Sequence, residues 1–418
     1  MNIYEQRRKK YYEEIDGDSV TLLFSGEVKH KTNDQFFPFC VNRNFYYLTG
    51  IDEPNVILMM IKKSKEETQT KLFIRETTEF VRQWLGAYIS KEDASTLSNI
   101  AESDIHFESN FKDMVKGMMQ YGRSRLITTP SKLYLDLYQP SLTLKPIGEE
   151  TFEEIINTYK QLKIKDANKY LSFLRMFKDE AEVEIIKTAI NRTKQGLNAI
   201  LKELKHSENE QDLASLFLRE TTMQGSKDLA FSTIAASGEN ATILHYEQNN
   251  KPIQKDGVIL FDLGASAGNY SSDISRTYPA SGTFTKRQKE LYEIVLDVNK
   301  KAIEYSKVGT TWVQLNKFAK DLLAKHCQKI GLINDESEIS KYYYHSIGHF
   351  MGLDTHDVGQ YELPFKEGMI ITIEPGLYIK EEGIGIRIED DILITKEGPV
   401  NLSKDIIKEV EDIENALK

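Results

Sequence analysis

Between His345 and Asp391 the chain sets charged side chains inside runs of aliphatic residues, and no fold can bury such a stretch without giving those charges partners. The segment HSIGHFMGLDTHDVG places His345, His349 and His356 within twelve residues, in a chain of 418 residues with eight histidines. MIITIEPGLYI then carries an apolar run up to Glu374, followed by Pro375 and Gly376. In IGIRIEDDILIT, Ile384, Ile386 and Ile388 alternate with Gly385, Arg387 and Glu389. That period of two reads as one strand, with isoleucines on one face and Arg387 and Glu389 on the other. A carboxylate in such a strand costs several kcal/mol unless it is paired or coordinated. Two readings are open: Arg387 neutralises Glu389, or His349, Glu374 and Glu389 are metal ligands and Arg387 orients one of them. Asp390 falls on the isoleucine face, where the pattern gives it no role.

A second such stretch lies upstream. Val258 to Leu263 is apolar except for Asp262, Gly264 to Asn269 supplies turn residues, and Asn269 to Tyr278 returns as a strand. A hairpin symmetric about Ala267 and Gly268 sets Asp262 opposite Asp273, with Cβ atoms about 5 Å apart. Ionised carboxylates that close repel, so one must protonate unless a cation sits between them. His245, just upstream, is by itself compatible with a structural role. Asp262, Asp273, His349, Glu374 and Glu389 together make four carboxylates and one imidazole, a charge that two divalent cations would balance. Hard oxygen ligands with a single nitrogen favour Mn(II) and permit Co(II) or Zn(II). Asp273 and Glu389 can be shared between the two ions, with a bridging hydroxide as nucleophile.

The length points to two domains. Residues 1–168 read as an α/β domain with strands in SVTLLFSG, FYYLTG, NVILMMI and KLFIR. Thr151 to Leu162 is helical and serves as the connecting element. Residues 169–418 form a second domain, opened by helices from Asp179 and through QDLASLFLRETTMQG. Trp84, in RQWLGAY, reads as a half-buried packing residue, and His30, His106, His206 and His326 as surface residues. A net charge of −10, with no basic block beyond Arg7 to Lys10, argues against nucleic acid. No aliphatic run is long enough for a membrane. Cys40 and Cys327 form no disulfide framework, and MNIYEQRRKKYYEE has no signal-peptide core. The expectation is a soluble, cytoplasmic protein.

The motifs LHY, FDLGA, SSDISRTYP, HSIGHFMGLDTHDVG, EPGLYI and GIGIRIEDDILIT, in this order and spacing, resemble the aminopeptidase P and prolidase branch of the creatinase/methionine-aminopeptidase superfamily. FYYLTG and RQWLG extend the resemblance to the amino-terminal half. It implies an α/β (α+β) chain, a smaller creatinase-like amino-terminal domain followed by a catalytic domain of the "pita-bread" fold. It implies that Asp262 binds one metal, that His349 and Glu374 bind the other, and that Asp273 and Glu389 bridge. His245, His345 and His356 would line the substrate site and stabilise the tetrahedral intermediate. Glu374 would shuttle a proton to the leaving proline nitrogen, and Tyr378 and Arg387 would lie near metals and substrate. Trp84 would reach a neighbouring subunit's site in a homodimer or homotetramer. The short connection KEEGIGIR departs from relatives with a longer loop there. The implied activity is a metal-dependent exopeptidase releasing the first residue of peptides with proline second; a prolidase confined to Xaa-Pro dipeptides is the alternative. The intact ligand set argues against a metal-free creatinase-like enzyme and against a binding module that has lost catalysis. The separate front domain argues against a methionine aminopeptidase.

Overall fold

The computed structural model describes residues 2–120 and 126–418. The chain divides into two compact units between Arg175 and Met176.

The first unit is built on a six-stranded mixed sheet. Its order is Ile105–Phe107, Thr68–Ile74, Ile57–Lys62, Ser19–Phe24, Lys132–Leu135 and Lys163–Asp166. Val20, Leu22, Met59, Ile61 and Phe73 project into a core closed by helices that contribute Phe111, Val115, Phe152 and Ile155. Phe152 and Ile155 belong to the helix Glu149–Thr158, so the helix expected to be a connector is part of this core.

Three further expectations need correcting here. FYYLTG is not a strand but part of the helix Arg43–Thr49. Asn42 caps its start by accepting the Phe45 N–H at 2.8 Å, and Gly50, at φ 72°, ends it. These two caps outweigh the strand preference of the aromatic residues between them. Trp84 is not half-buried. It lies on the short helix Glu79–Leu85, which buries none of its residues; the residue is 72% exposed and its ring stacks on Phe80 at 5.7 Å. Finally, His106 packs its ring against Phe73 and His326 bonds Asp297 at 2.9 Å, so neither is a free surface residue.

In the second unit four long helices, Glu180–Glu203, Glu210–Met223, Lys286–Tyr305 and Trp312–Lys329, each begin at a capping box. The residue pairs are Asp179 with Glu182, Asn209 with Asp212, Thr285 with Gln288 and Thr311 with Gln314. In each pair the two side chains satisfy backbone N–H groups that the first turn cannot. Two three-stranded antiparallel sheets carry the site. One places Val258–Leu263 between Ile234–Ser237 and Ile274–Pro279; the other places Asp390–Thr395 between Ile370–Ile373 and Gly398–Asn401. Among the described residues no helix is long and apolar enough to cross a membrane.

Asp390 now has a role. Its carboxylate is wholly buried and meets Arg276 Nη2 at 2.9 Å, with Lys408 on its other oxygen. Burial alone would raise this acid; the two cations overcome that and hold it well below the usual carboxylate range. Replacing Asp390 by Asn leaves Arg276, itself wholly buried, without its counter-charge. The expected loss is about 3–5 kcal/mol of unfolding free energy at pH 7. Because the folded-state acid is depressed, this advantage is complete above about pH 4 and fades as the pH falls through the folded value. Urea denaturation of parent and Asp390→Asn at pH 7 and pH 3 measures both effects; a difference below about 1 kcal/mol at pH 7 contradicts the assignment.

Candidate metal centre

Strand register brings the two aspartates together, though not as the sequence suggested. Val258–Leu263 pairs with Ile274–Pro279 so that Asp262 faces Ser275, not Asp273. Ala267 pairs with Tyr270, which makes Gly268 and Asn269 the two-residue tip, one position later than expected. Both have positive φ, 49° and 62°, as a tight hairpin turn of matching twist requires, and Gly-Asn meets that need where Ala-Gly does not. Asp273, two residues before Ser275, is therefore offset from Asp262. One oxygen each from Asp262, Asp273 and Glu389 still falls within a mutual 4.8 Å.

Glu374 and Glu389 sit where strands change partners. The expected continuous strand through Glu389 is broken: Ile384–Arg387 pairs with Gly376–Ile379, whereas Asp390–Thr395 pairs with Ile370–Ile373. The crossing leaves backbone carbonyls in need of donors. Asn299, from the helix Lys286–Tyr305, gives its amide N–H groups to Ile373 O and Ile388 O, each at 3.1 Å. Those carbonyls immediately precede Glu374 and Glu389, so a single buried amide holds both acid-bearing turns. His349 arrives on a segment laid along Ile370–Ile373: its backbone exchanges bonds with Thr372 and Glu374 N–H bonds Ile347 O. A Cβ on Gly348 would meet Thr372 O at 2.0 Å, so only glycine permits this approach.

The side chains converge on a cavity of about 430 Å³, lined by the five candidate ligands and by His245, His345, His356 and Arg387. Ligand atoms of Asp273, His349 and His356 fall within 4.8 Å of one another, as do those of His349, Glu374 and Glu389. Arg387 pairs with Asp262 at 2.7 Å and makes no direct ion pair with Glu389 among the described residues, though its charge still favours the ionised form of that acid. Its Nε donates to Ser275 Oγ at 2.7 Å, and that hydroxyl donates to Glu389 Oε2 at 2.8 Å. Its Nη1 donates to the Tyr378 hydroxyl at 3.0 Å. Tyr378 is buried and reaches the site through Arg387 and His345. Trp84 belongs to the first unit.

One arginine does not balance four acids. Burial, then the neighbouring Asp262, Asp391 and Glu374, push the Asp273 carboxyl well above its ordinary range. Burial and Asp273 do the same to Glu389, and burial pushes Glu374 up to about 7. Asp262 Oδ1 is buried with no hydrogen-bond partner among the described residues. His349 Nδ1 lies 2.9 Å from Phe350 O, a group that can only accept, so Nδ1 carries a proton and Nε2 is the nitrogen turned to the site. Nε2 lies 3.3 Å from Asp273 and 3.8 Å from Glu374. Ligand atoms crowded within 4.8 Å, an orphaned oxygen and acids driven toward protonation together describe a donor set fitted to divalent cations.

His345 is set differently. Nδ1 donates to Ser346 O at 2.7 Å, so Nε2 accepts the Tyr378 hydroxyl at 2.8 Å. Burial and then Arg387 hold its pKa down to about 4, which keeps the ring neutral. The His356 ring stands edge-on to His349 at 4.1 Å. Sequence reading missed Ser275, Asn299, Thr372 and Asp391, whose Oδ2 accepts the Asp273 N–H at 3.3 Å. Ser275 was accessible from the period of two that starts at Asp273; Asn299, in mid-helix, carries no local signal.

Residues 184–396 match Metallopeptidase family M24, and residues 4–127 match the Aminopeptidase P, N-terminal domain. The chain is 30% identical to the Xaa-Pro aminopeptidase of Haemophilus influenzae, over 99% of this chain and 96% of that protein. It is also 30% identical to the mitochondrial intermediate cleaving peptidase 55 of Arabidopsis thaliana, over 99% and 82%. A Bacillus anthracis protein assigned as an aminopeptidase P superposes with a TM-score of 0.94 at 43% identity, over 99% of this chain and 97% of that one. The chain belongs to metallopeptidase family M24. It is a metal-dependent hydrolase of the pita-bread fold, with the aminopeptidase P domain in front.

The raised acids give a pH signature in the metal-free protein. Glu374 binds its proton more tightly folded than unfolded, so its contribution to stability is complete below its ordinary value of 4.5 and is lost as pH rises to about 7. A glutamine in its place would not titrate. The stability of Glu374→Gln relative to the parent should therefore increase between pH 5 and pH 7.5, by on the order of 2 kcal/mol. Parallel pH profiles of the two in urea would contradict this.

Proposed function

We propose that the chain is an Xaa-Pro aminopeptidase, releasing the first residue from peptides that carry proline second. The observation that carries this reading is the convergence of Asp262, Asp273, His349, Glu374 and Glu389 in overlapping sets within 4.8 Å, on a chain that matches the named aminopeptidases over nearly its whole length. In this reading Asp262 holds one divalent ion, His349 and Glu374 hold the other, and Asp273 and Glu389 serve both. Mn(II) suits the oxygen-rich set best, with Co(II) or Zn(II) permitted. When bound, the ions supply an acidified water and a positive charge for the scissile carbonyl.

The remaining chemistry falls to side chains. An Xaa-Pro bond is a tertiary amide with no N–H and a fixed φ, so its nitrogen must be protonated before it leaves. Glu374 carries that proton from the attacking water to the proline nitrogen. His245 and His356 face the cavity and stabilise the oxygen of the tetrahedral intermediate. His345 contacts the substrate from the cavity wall while its Nε2 stays with Tyr378, and Arg387 keeps Asp262 and, through Ser275, Glu389 in place. The exposed Phe80, Trp84 and Leu85 favour an interface, with Trp84 reaching a neighbouring copy in a homodimer or homotetramer. A cytoplasmic setting, with no nucleic-acid or membrane partner, fits the acidic chain and its two free cysteines.

The equal similarity to an intermediate cleaving peptidase favours a second reading in which the same site trims the amino termini of longer chains. Metal-stripped protein restored with Mn(II) separates the possibilities. The substrates are an Xaa-Pro-Xaa tripeptide, the Xaa-Pro dipeptide, the tripeptide with alanine for proline, and a longer Xaa-Pro peptide. The proline tripeptide should be cleaved roughly 100-fold better than its alanine counterpart, and only with metal. Preference for the dipeptide would make the enzyme a prolidase; no cleavage of any would end the peptidase reading. In sedimentation velocity Trp84→Glu should shift the oligomer toward monomer, and an unchanged distribution would remove Trp84 from the interface.

A further inference from the structure

His245 reaches the cavity from a stretch of chain without regular structure, just after the short 3-10 turn Gly238–Thr242. The residue is exposed, and its ring makes no hydrogen bond among the described residues. A side chain with no bond of its own takes its place from the backbone that carries it. A catalytic group misplaced by about 1 Å costs on the order of 100-fold in rate, so that backbone must be held firmly.

One carboxylate holds it. Glu210, the first residue of the helix Glu210–Met223, is wholly buried. Its Oε1 accepts Ser237 N–H at 2.9 Å and the Asn240 amide N–H at 2.8 Å. Its Oε2 accepts the Tyr246 hydroxyl at 2.8 Å and Lys251 N–H at 3.0 Å. All four donors lie between Ser237 and Lys251, the stretch that contains His245, and Tyr246 is its immediate neighbour. Four donors on two oxygens leave no place for a proton. An amide of the same shape cannot replace this group, because its NH2 would face Lys251 N–H.

Two further features fix where the held stretch lies. Asn249 accepts Ala235 N–H at 2.8 Å and donates to Thr233 O at 2.7 Å, which lays the chain beside the start of the strand Ile234–Ser237. A Cβ on Gly385 would collide with Ala241 O, so the turn before His245 rests directly on the strand that ends in Arg387. None of the four partners of Glu210 is a candidate metal ligand.

We propose that Glu210 is a positioning residue for the reaction: it fixes residues 237–251 so that His245 is presented to the oxygen of the tetrahedral intermediate. Glu210 is not on the cavity wall; it acts through His245, a role that rests on the exopeptidase reading above.

The test places Glu210→Gln in the Mn(II)-loaded full chain, with and without His245, and follows cleavage of an Xaa-Pro-Xaa tripeptide. With His245 present, kcat should fall about 10-fold while KM stays within about two-fold. In the residual activity of His245→Ala, adding Glu210→Gln should change kcat less than about two-fold, because the group it positions is gone. Tyr246→Phe removes one of the four bonds and keeps the ring. It should cost about three-fold, again only when His245 is present, and it carries the comparison if Glu210→Gln does not fold. Amide hydrogen exchange supplies a readout independent of turnover. Glu210→Gln should speed exchange at residues 238–251 and leave 345–356 and 370–391 as in the parent. An equal loss of kcat with and without His245, or faster exchange throughout the second unit, gives Glu210 a general structural role and overturns the proposal. An unchanged kcat overturns it as well. A parent that cleaves no peptide overturns the exopeptidase reading and the positioning role with it.

Discussion

Four carboxylates confined with one imidazole in a largely buried pocket impose the condition that the second unit is built to meet. In water they would repel weakly; out of water they cannot all be ionised together without cations. The chain provides one, Arg387, and commits it to Asp262. Asp273, Glu374 and Glu389 are left to shift toward protonation, with His349 Nε2 turned toward them. A site of this kind is stable without metal only when its acids give up charge, which is why binding a cation and releasing protons are one event.

Holding like charges together requires a scaffold that resists their repulsion, and it lies one layer behind the acids. Asn299 ties the two turns that bear Glu374 and Glu389. Lys408 bonds both the Asn299 oxygen and Asp390, and Asp390 in turn pairs with Arg276, whose guanidinium also reaches Glu389 O and Ser275 O. Every link is hydrogen-bonded and, apart from the partly exposed Lys408, buried, the condition under which charge in a protein interior fixes geometry rather than destabilising it. On the substrate side, Tyr378 joins Arg387 to His345, so the orientation of that histidine is coupled to the same arginine that steadies Asp262.

What the sequence made legible follows from how local each cause is. The five acidic and imidazole residues stood out because each interrupts an apolar strand or a histidine-poor background, and two helices of the second unit, from Asp179 and through QDLASLFLRETTMQG, are legible from apolar spacing and an acidic first turn; the capping boxes at Thr285 and Thr311 open two more that the sequence reading did not include. Register was harder. A hairpin centred one residue early put Asp262 opposite Asp273, because the demand of a two-residue turn for positive φ at Gly268 and Asn269 was not weighed. The run from Ile384 to Thr395 alternates like one strand, and only the partner change at Ile388 and Glu389 reveals two. Phe45 to Thr49 carries strand-forming residues, yet Asn42 and Gly50 decide for a helix. Asn299 and Asp390 gained meaning only once elements distant in the chain came together.

In the function proposed above, these acids hold two ions side by side. Titrating metal-stripped protein with Mn(II), followed by electron paramagnetic resonance, tests it most directly. Uptake of two ions per chain is expected, with the signal of an exchange-coupled pair at the second equivalent. In Asp273→Ala, which lacks a shared ligand, coupling should be lost and the second ion should bind at least about 10-fold more weakly. Uptake of a single ion by the parent, or a coupled pair that persists in Asp273→Ala, would contradict it.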